Sequence, residues 1–436
     1  MNQPAFRTAS RLKHIDPFWV MECAKAAQEI ARSPACDPAQ GGEPMIYLNI
    51  GEPDFTAAAP VLRAAQACLA GGHTQYTQAT GLPALRQKIA AWYGTRFGQD
   101  VDPARIVVTA GASAALQLIC LALFEPGDDV LMPDPSYPCN RHFVAAAGAR
   151  AQLLPASAAQ RFQLTAESVA AAWGPATRGV LLASPSNPTG TSIAPGEMAR
   201  MADVVRARGG VTLVDEIYLG LSFEEAFGHS ALALGEDIVS INSFSKYFSM
   251  TGWRLGWMVL PPALVAPVEK LAQNLFICPS SLAQHAALAC FDDEAIAEYE
   301  MRRAEFRRRR DFIVPALQAI GFDVPVPPDG AFYVWADCSR FLQAGGAMPT
   351  SWEFSFEMMR RAHVALTPGR DFGPSAADRF VRLSFASSME DLEQAVQRLA
   401  RELAHELAHT TVHATANANA TANATAHETR QETRQE

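Results

Sequence analysis

The sequence lacks a run of about eighteen apolar residues, the length that a membrane span needs. Its opening segment, MNQPAFRTASRLKHIDPFW, scatters charges where a secretion signal would carry an apolar core. A soluble, cytoplasmic protein is therefore expected, with no membrane partner. An excess of basic charge is also missing: 36 Lys and Arg stand against 45 Asp and Glu, a formal net charge of −9. Such a surface repels the phosphates of nucleic acid and acidic lipid, so no nucleic-acid partner is expected. The eight cysteines (Cys23, Cys36, Cys68, Cys120, Cys139, Cys278, Cys290 and Cys338) form neither a C-x-x-C pair nor a zinc-knuckle spacing. Several sit in apolar runs, as Cys120 does in LQLICLALF, which predicts buried reduced thiols and a reducing compartment. No cluster of His, Cys and carboxylates suggests a metal, and no Gly-x4-Gly-Lys-Ser/Thr loop suggests a Walker-type nucleotide site. Repeats at a period of about 20 to 50 residues are absent, which removes solenoids and propellers.

What is present is an ordinary globular composition, 436 residues of which 49% are hydrophobic and 19% charged. That length buries a large core, and a small-molecule enzyme is the leading class. From about Gly51 to Ala289 short β-branched runs alternate with longer amphipathic ones, the pattern of crossover βα units. The predicted strands are Ile106 to Thr109, Val130 to Pro133, Gln152 to Leu154, Val180 to Ala183, Val211 to Val214, Ile238 to Ile241 and Gly256 to Leu260. Together they predict an α/β fold with one seven-stranded, mostly parallel sheet and helices on both faces. Between two of them Met198, Met201, Ala202 and Val205 recur at helical spacing before Gly209 and Gly210. Beyond Glu294 the pattern changes to long helices, a proline-rich break at 324–328 and strand-like runs at Ala331 to Ala336 and Phe380 to Ser384, which predict a smaller α+β domain. A helix is expected after Ser387, capped by Ser387 and Glu390 and ending near Ala408. The expected division is an N-terminal arm contributing to the small domain (1–50), a large domain (51–293), the small domain (294–408) and a low-complexity tail (409–436) whose Ala, Thr and Asn cannot bury enough surface to order.

Polar residues gather just past the carboxyl ends of these strands, where open parallel sheets bind ligands. Gly111, Ala112 and Ser113 follow the first strand and open a helix whose free amides suit a phosphate, although a tight turn is the blander explanation. Asn187 stands between Pro185 and Pro188, a rigid loop that aims its amide in one direction. The apolar strand 211–214 delivers Asp215 and then Tyr218, and a carboxylate so placed is partly buried and needs a partner. Lys246 stands among Phe244, Tyr247, Phe248 and Met250, surroundings that desolvate its ammonium and favour the nucleophilic amine. Ser243, Ser245 and Arg254 around it bind anions. The set combines a phosphate cradle, an amine nucleophile, a buried carboxylate and two groups able to bond a phenolate oxygen, all of which pyridoxal phosphate requires.

At this point the sequence resembles the class I/II aminotransferases of the fold-type-I pyridoxal-phosphate enzymes, over about residues 10 to 405. The resemblance rests on ordered motifs: NIGEPDF at 49–55, QYTQATGLPALR at 75–86, SNPTG at 186–190, DEIY at 215–218, SFSK at 243–246, GWRLG at 252–256 and RLSFA at 382–386. It implies that Lys246 is the Schiff-base lysine, that Asp215 partners the pyridine nitrogen, and that Tyr218 and Asn187 bond the ring oxygen. It further implies that Ser243, Ser245, Arg254 and the amides of Gly111, Ala112 and Ser113 hold the phosphate, and that Tyr137 stacks on the ring. Tyr76 would reach the phosphate of a neighbouring subunit, which implies a homodimer with shared active sites. Arg382 would clamp the substrate α-carboxylate beneath a lid that carries Gly51. The implied reaction moves an amino group from an L-amino acid to a 2-oxo acid by a ping-pong route, with C–S β-lyase or other Cα chemistry, such as that of a decarboxylating synthase, on the same scaffold as the alternative. A sensor half of a transcription regulator would need a DNA-binding domain upstream of Gly51, and the acidic charge opposes it. The stretch MRRAEFRRRR at 301–310 reads as a solvated helix face or interdomain ion pairs. Arg32, Arg141 and Arg370 are candidates for recognising an acidic substrate side chain.

Overall fold

The computed structural model describes residues 6–343, 346–375 and 377–404. The expected tail and the end of the last helix lie outside these residues. Among the described residues there are twelve strands: β1 (Ile46–Tyr47), β2 (Ile106–Thr109), β3 (Asp129–Asp134), β4 (Arg150–Pro155), β5 (Thr177–Ala183), β6 (Val211–Asp215), β7 (Val239–Ser243), β8 (Gly256–Val259), β9 (Tyr333–Asp337), β10 (Val364–Ala365), β11 (Thr367–Pro368) and β12 (Phe380–Ser384). Strands β2 to β8 form one seven-stranded sheet in the order β2-β8-β7-β6-β5-β3-β4. β8 runs opposite to the other six strands and pairs antiparallel with β2 and β7, while the remaining pairs are parallel, so the sheet is mostly parallel, as the alternating pattern predicts.

Burial on both faces explains why these strands read as unbroken apolar runs. In β3 the side chains of Val130 and Met132 join a cluster with Leu116 and Ile119 of the helix Gly111–Leu123. Leu131 points the other way and meets Met198 and Met201 of the helix Pro195–Ala207. Helices therefore cover both faces. The edge strand β4 is correspondingly half-exposed.

A second, antiparallel sheet has the order β11-β12-β9, and β1 pairs in parallel with β10, joining the N-terminal segment to the C-terminal part of the chain. The last helix is described over 389–404 and presents Leu392, Leu399 and Leu403 to the main core. Its cap differs from the expectation: Ser388 Oγ accepts from Asp391 N at 3.1 Å, while Ser387 Oγ donates to the Tyr47 carbonyl. The capping serine is the one whose hydroxyl stands three residues before a free amide, and the neighbouring Ser387 is drawn off by the N-terminal segment. Among the described residues no helix is long and apolar enough to cross a membrane.

Candidate active site

A cavity of about 460 Å³ opens at the carboxyl ends of β5, β6 and β7 and extends to the small sheet, lined by residues from the N-terminal segment, Asn49 to Glu52, the strand ends, Tyr333 and Arg382. Lys246 follows β7 in a turn and lies in this wall. Its Nζ donates to the Gly51 carbonyl at 2.6 Å and stands 5.6 and 5.7 Å from the ring centres of Tyr218 and Phe332. Burial first, and the cations Arg382 and Arg254 second, bring its pKa down to about 8, against the opposing pull of Glu52 and Asp215.

Asp215 is the last residue of β6. Its Oδ1 accepts from the Ile217 amide at 3.2 Å, and burial raises its pKa to about 7, the neighbouring Glu216 adding to the rise. The pull of Lys246 does not offset this burial, and among the described residues no cation forms an ion pair with the carboxylate, a place that a protonated ring nitrogen would fill. Glu216, on the opposite face of the chain, is held separately by Ser230 Oγ, Ser240 Oγ and the Ala231 amide. Tyr218 shares a hydrogen bond with Tyr333, oxygen to oxygen, at 2.8 Å, and burial holds both phenols above their ordinary pKa.

The opposite end of the cavity is built for an anion. The helix Gly111–Leu123 begins without any side-chain cap, so its first amides stay free, and they carry the positive end of the helix dipole. Gly111 has φ +81°, and a Cβ there would stand 2.7 Å from Arg254 Nη2, so glycine lets the guanidinium lie against the helix start. Ser243 Oγ accepts from the Ser245 amide at 3.0 Å, and Arg254 Nη1 donates to the Thr251 carbonyl at 3.0 Å. These donors fit the phosphate of the expected cofactor, as Asp215 fits its ring nitrogen.

Arg382, in the middle of β12, is 2% exposed. Its Nη1 donates to Asn187 Oδ1 at 2.9 Å and its Nη2 to the Asn49 carbonyl at 2.7 Å, while Nε has no partner. Tyr333 and Phe372 stack on it with ring centres 4.4 and 5.1 Å away. Every hydrogen-bond acceptor around this guanidinium is neutral, and among the described residues no carboxylate comes within ion-pair reach. A buried charge in this state calls for an anionic ligand.

The cavity thus brings together Gly51, Ala112, Ser113, Tyr137, Asn187, Asp215, Tyr218, Ser243, Ser245, Lys246, Arg254 and Arg382. Gly111 lies behind this lining, against Arg254. Tyr76 is 79% exposed and stands apart from the cavity of its own chain. Arg32, Arg141 and Arg370 do not reach the lining either: Arg141 donates to the Asp371 carbonyl, and Arg370 stacks on Trp19 and Trp352. The candidates for an acidic side-chain pocket are therefore absent from the wall of this chain. In their place stand residues that the pattern did not single out. Phe18, Val20, Met21 and Ala24 line the cavity from the helix Trp19–Ile30 and the residue before it, and Ile50 adds to them. Asn49 is fully buried there with both side-chain polar atoms unpartnered. Tyr333 also escaped notice, and its hydroxyl is so close to Gly51 that a Cβ on that glycine would fall 2.7 Å away.

Comparison with known proteins agrees with this geometry. The family model "Aminotransferase class I and II" matches residues 43–399. A valine–pyruvate aminotransferase of Mycobacterium tuberculosis is 39% identical over 88% of this chain and 96% of its own length. An arginine–pyruvate transaminase of Pseudomonas aeruginosa is 35% identical over 82% of this chain and 90% of its own. The crystal structure of an aminotransferase from Mycobacterium tuberculosis superimposes with a TM-score of 0.86 at 38% identity, covering 92% of this chain and all of that one.

Proposed function

The chain belongs to the class I and II aminotransferases and is a pyridoxal-phosphate-dependent aminotransferase, and from that premise we propose which residues perform the transfer and which amino acids it accepts. When bound, the cofactor supplies an electron sink for the pair released as the amino acid's Cα–H bond breaks. We assign Lys246 as the amine that would hold it covalently and Asp215 as the partner of its ring nitrogen. Asn187 and Tyr218 would bond the ring oxygen, and Tyr137 would cover the ring. Ser243, Ser245, Arg254 and the first amides of the helix Gly111–Leu123 would hold the phosphate.

Within this frame each residue has a physical task. Lys246, with its pKa near 8, keeps a useful neutral fraction at physiological pH, so Nζ accepts the Cα proton and returns it. Arg382 pairs with the substrate α-carboxylate, which supplies the missing counter-charge and orients the Cα–H bond for cleavage. This buried cation surrounded by neutral acceptors is the observation that carries the reading.

For the donor we propose an amino acid with an uncharged, apolar side chain, and for the acceptor a small 2-oxo acid such as pyruvate. The three cations of the cavity, Lys246, Arg254 and Arg382, all have tasks already, and the remaining wall from Phe18 to Ala24 with Ile50 is apolar. The naming of pyruvate in both relatives supports the acceptor, and valine fits the wall. We also propose a cytoplasmic homodimer. Eight unpaired thiols support a reducing setting, and the exposed Tyr76 supports a second copy into whose site it reaches. For the division of the chain we propose a cofactor-binding domain over 51–293 and a smaller one made of 1–50 with 294–408, which the β1–β10 pairing supports.

The test is a panel of amino donors offered with pyruvate and with 2-oxoglutarate. Valine, alanine and similar donors should react with pyruvate at least about tenfold better in kcat/KM than aspartate or glutamate, the difference one desolvated unpaired charge imposes. A preference for acidic donors would refute the substrate assignment, and pyruvate with ammonia formed from an S-substituted cysteine without acceptor would favour the lyase.

A further inference from the structure

The arginine-rich stretch of the long helix Asp293–Ala319 does more than face solvent. Arg309 is 5% exposed, and its Nη1 and Nη2 reach Asp54 Oδ1 and Oδ2 at 2.8 and 2.9 Å, a two-pronged pair. Arg302 Nη1 donates to the Thr56 carbonyl at 2.6 Å. Between these two anchors the Phe55 ring has the guanidinium carbons of Arg302 and Arg309 at 5.0 and 5.3 Å from its centre, with the Phe306 ring at 5.5 Å. The segment so held, 51–56, contains no helix or strand, so these contacts supply what a backbone ladder would otherwise supply. Its other end lies on the reacting centre: the Gly51 carbonyl accepts from Lys246 Nζ, and Glu52 bonds Thr251 Oγ1.

From this geometry we infer that Arg309, supported by Arg302, is a positioning residue that acts through Asp54 and Phe55 to hold the Gly51 carbonyl against Lys246 Nζ. The carbonyl then fixes where the lysine amine rests whenever it is not bonded to another group, so the amine meets the Cα proton at a constant distance. The inference rests on the assignment of Lys246 as the proton-transferring amine. Arg309 touches no reacting atom, and its effect is on the precision of the lysine.

The holoenzymes Arg309→Met, Arg309→Lys and Asp54→Asn test this. Loss of the pair should lower kcat by about 10- to 100-fold, the penalty for a reacting group displaced by a fraction of an ångström to an ångström, while KM changes little. A deuterium at Cα should slow the variants more than the native enzyme, because proton transfer becomes the slow step. Lysine should restore part of the rate, since it keeps the charge but not the two-pronged grip. Independently of turnover, reductive methylation of the cofactor-free protein, followed at Lys246 against the exposed Lys270 as reference, should rise several-fold in Arg309→Met and Asp54→Asn. If Arg309→Met fails to fold, Asp54→Asn decides the matter, as its side chain is 29% exposed and close in shape. Native kcat, isotope effect and Lys246 labelling in a folded Asp54→Asn protein would overturn the inference. Full turnover in Lys246→Ala would instead remove the assignment beneath it and leave the contact between the helix and residues 51–56 unexplained.

Discussion

The phenol oxygens of Tyr218 and Tyr333 meet at 2.8 Å, one from the loop after β6 in the large sheet and the other from β9 in the small one. Each hydroxyl therefore fixes the other, and both stay protonated through the physiological range because burial opposes their ionisation. Tyr333→Phe should lower kcat/KM by about 2- to 12-fold, the worth of one neutral hydrogen bond, with no new break in the pH profile. Tyr218→Phe should cost more, since it removes the proposed cofactor contact as well. Steady-state kinetics of the two single variants and the double variant would measure the coupling. Strict additivity of the two losses would contradict a shared role.

Removing the amine of Lys246 should abolish both the absorbance of the covalently held cofactor and turnover. The expected loss is at least about 10³-fold, within the range for a missing general acid–base group. Spectra and single-turnover assays of reconstituted Lys246→Ala check this, and near-native turnover would sink the assignment.

Arg382→Met should separate stability from function. The guanidinium is buried without a carboxylate partner, so an apolar side chain of similar length should leave the thermal midpoint of the cofactor-free protein equal or higher. Activity should fall by roughly 10- to 150-fold in kcat/KM for every amino acid alike, the value of a charge-assisted pair of about 1.5–3 kcal/mol. Differential scanning and a donor panel test the two halves separately, and unequal losses among donors would contradict a carboxylate clamp.

Asp215 predicts a pH dependence with a definite sign. Its folded pKa of about 7 lies above the ordinary carboxylate value, so the unprotonated form is penalised in the fold. Its contribution to stability is complete below the unfolded pKa and disappears as the pH rises through about 7. Lys246, lowered to about 8, works in the opposite sense: the fold disfavours its charged form, so stability recovers as the pH climbs above 8. Asp215→Asn in the cofactor-free protein should therefore flatten the decline in thermal midpoint between about pH 4 and 7. An unchanged slope would mean that the carboxylate is better solvated than its burial implies.

Much of this architecture is legible in the sequence because a strand covered on both sides must be apolar throughout, and the first polar residue after it marks the sheet's carboxyl edge. Asp215 stands out for that reason, Asn187 because two prolines flank it, and Ser243 because it stands close before Lys246. Tyr333 does not, because it lies inside the run AFYVWA and looks like any core aromatic. The apolar wall from Phe18 to Ala24 is equally hidden: an amphipathic helix announces that one face is covered, but not that the cover is a cavity on the large sheet. The arginines at 301–310 read as a solvated face or interdomain ion pairs, and ion pairs within their own helix hold several of them to Glu298, Glu300 and Glu305. That two of them also seize residues 54 and 56 depends on a contact between segments some 250 positions apart, 255 for Arg309 and Asp54, which no local pattern records.

The bond from Arg382 to the Asn49 carbonyl spans 333 positions. It has a temporal consequence during synthesis. Lys246, Asp215 and the proposed phosphate site leave the ribosome well before β12, so on the proposed assignment of Arg382 a chain interrupted in between lacks its anchor for a substrate carboxylate. On that assignment the site is complete only once β12 has joined the segment that carries Asn49, and unfinished copies should stay idle.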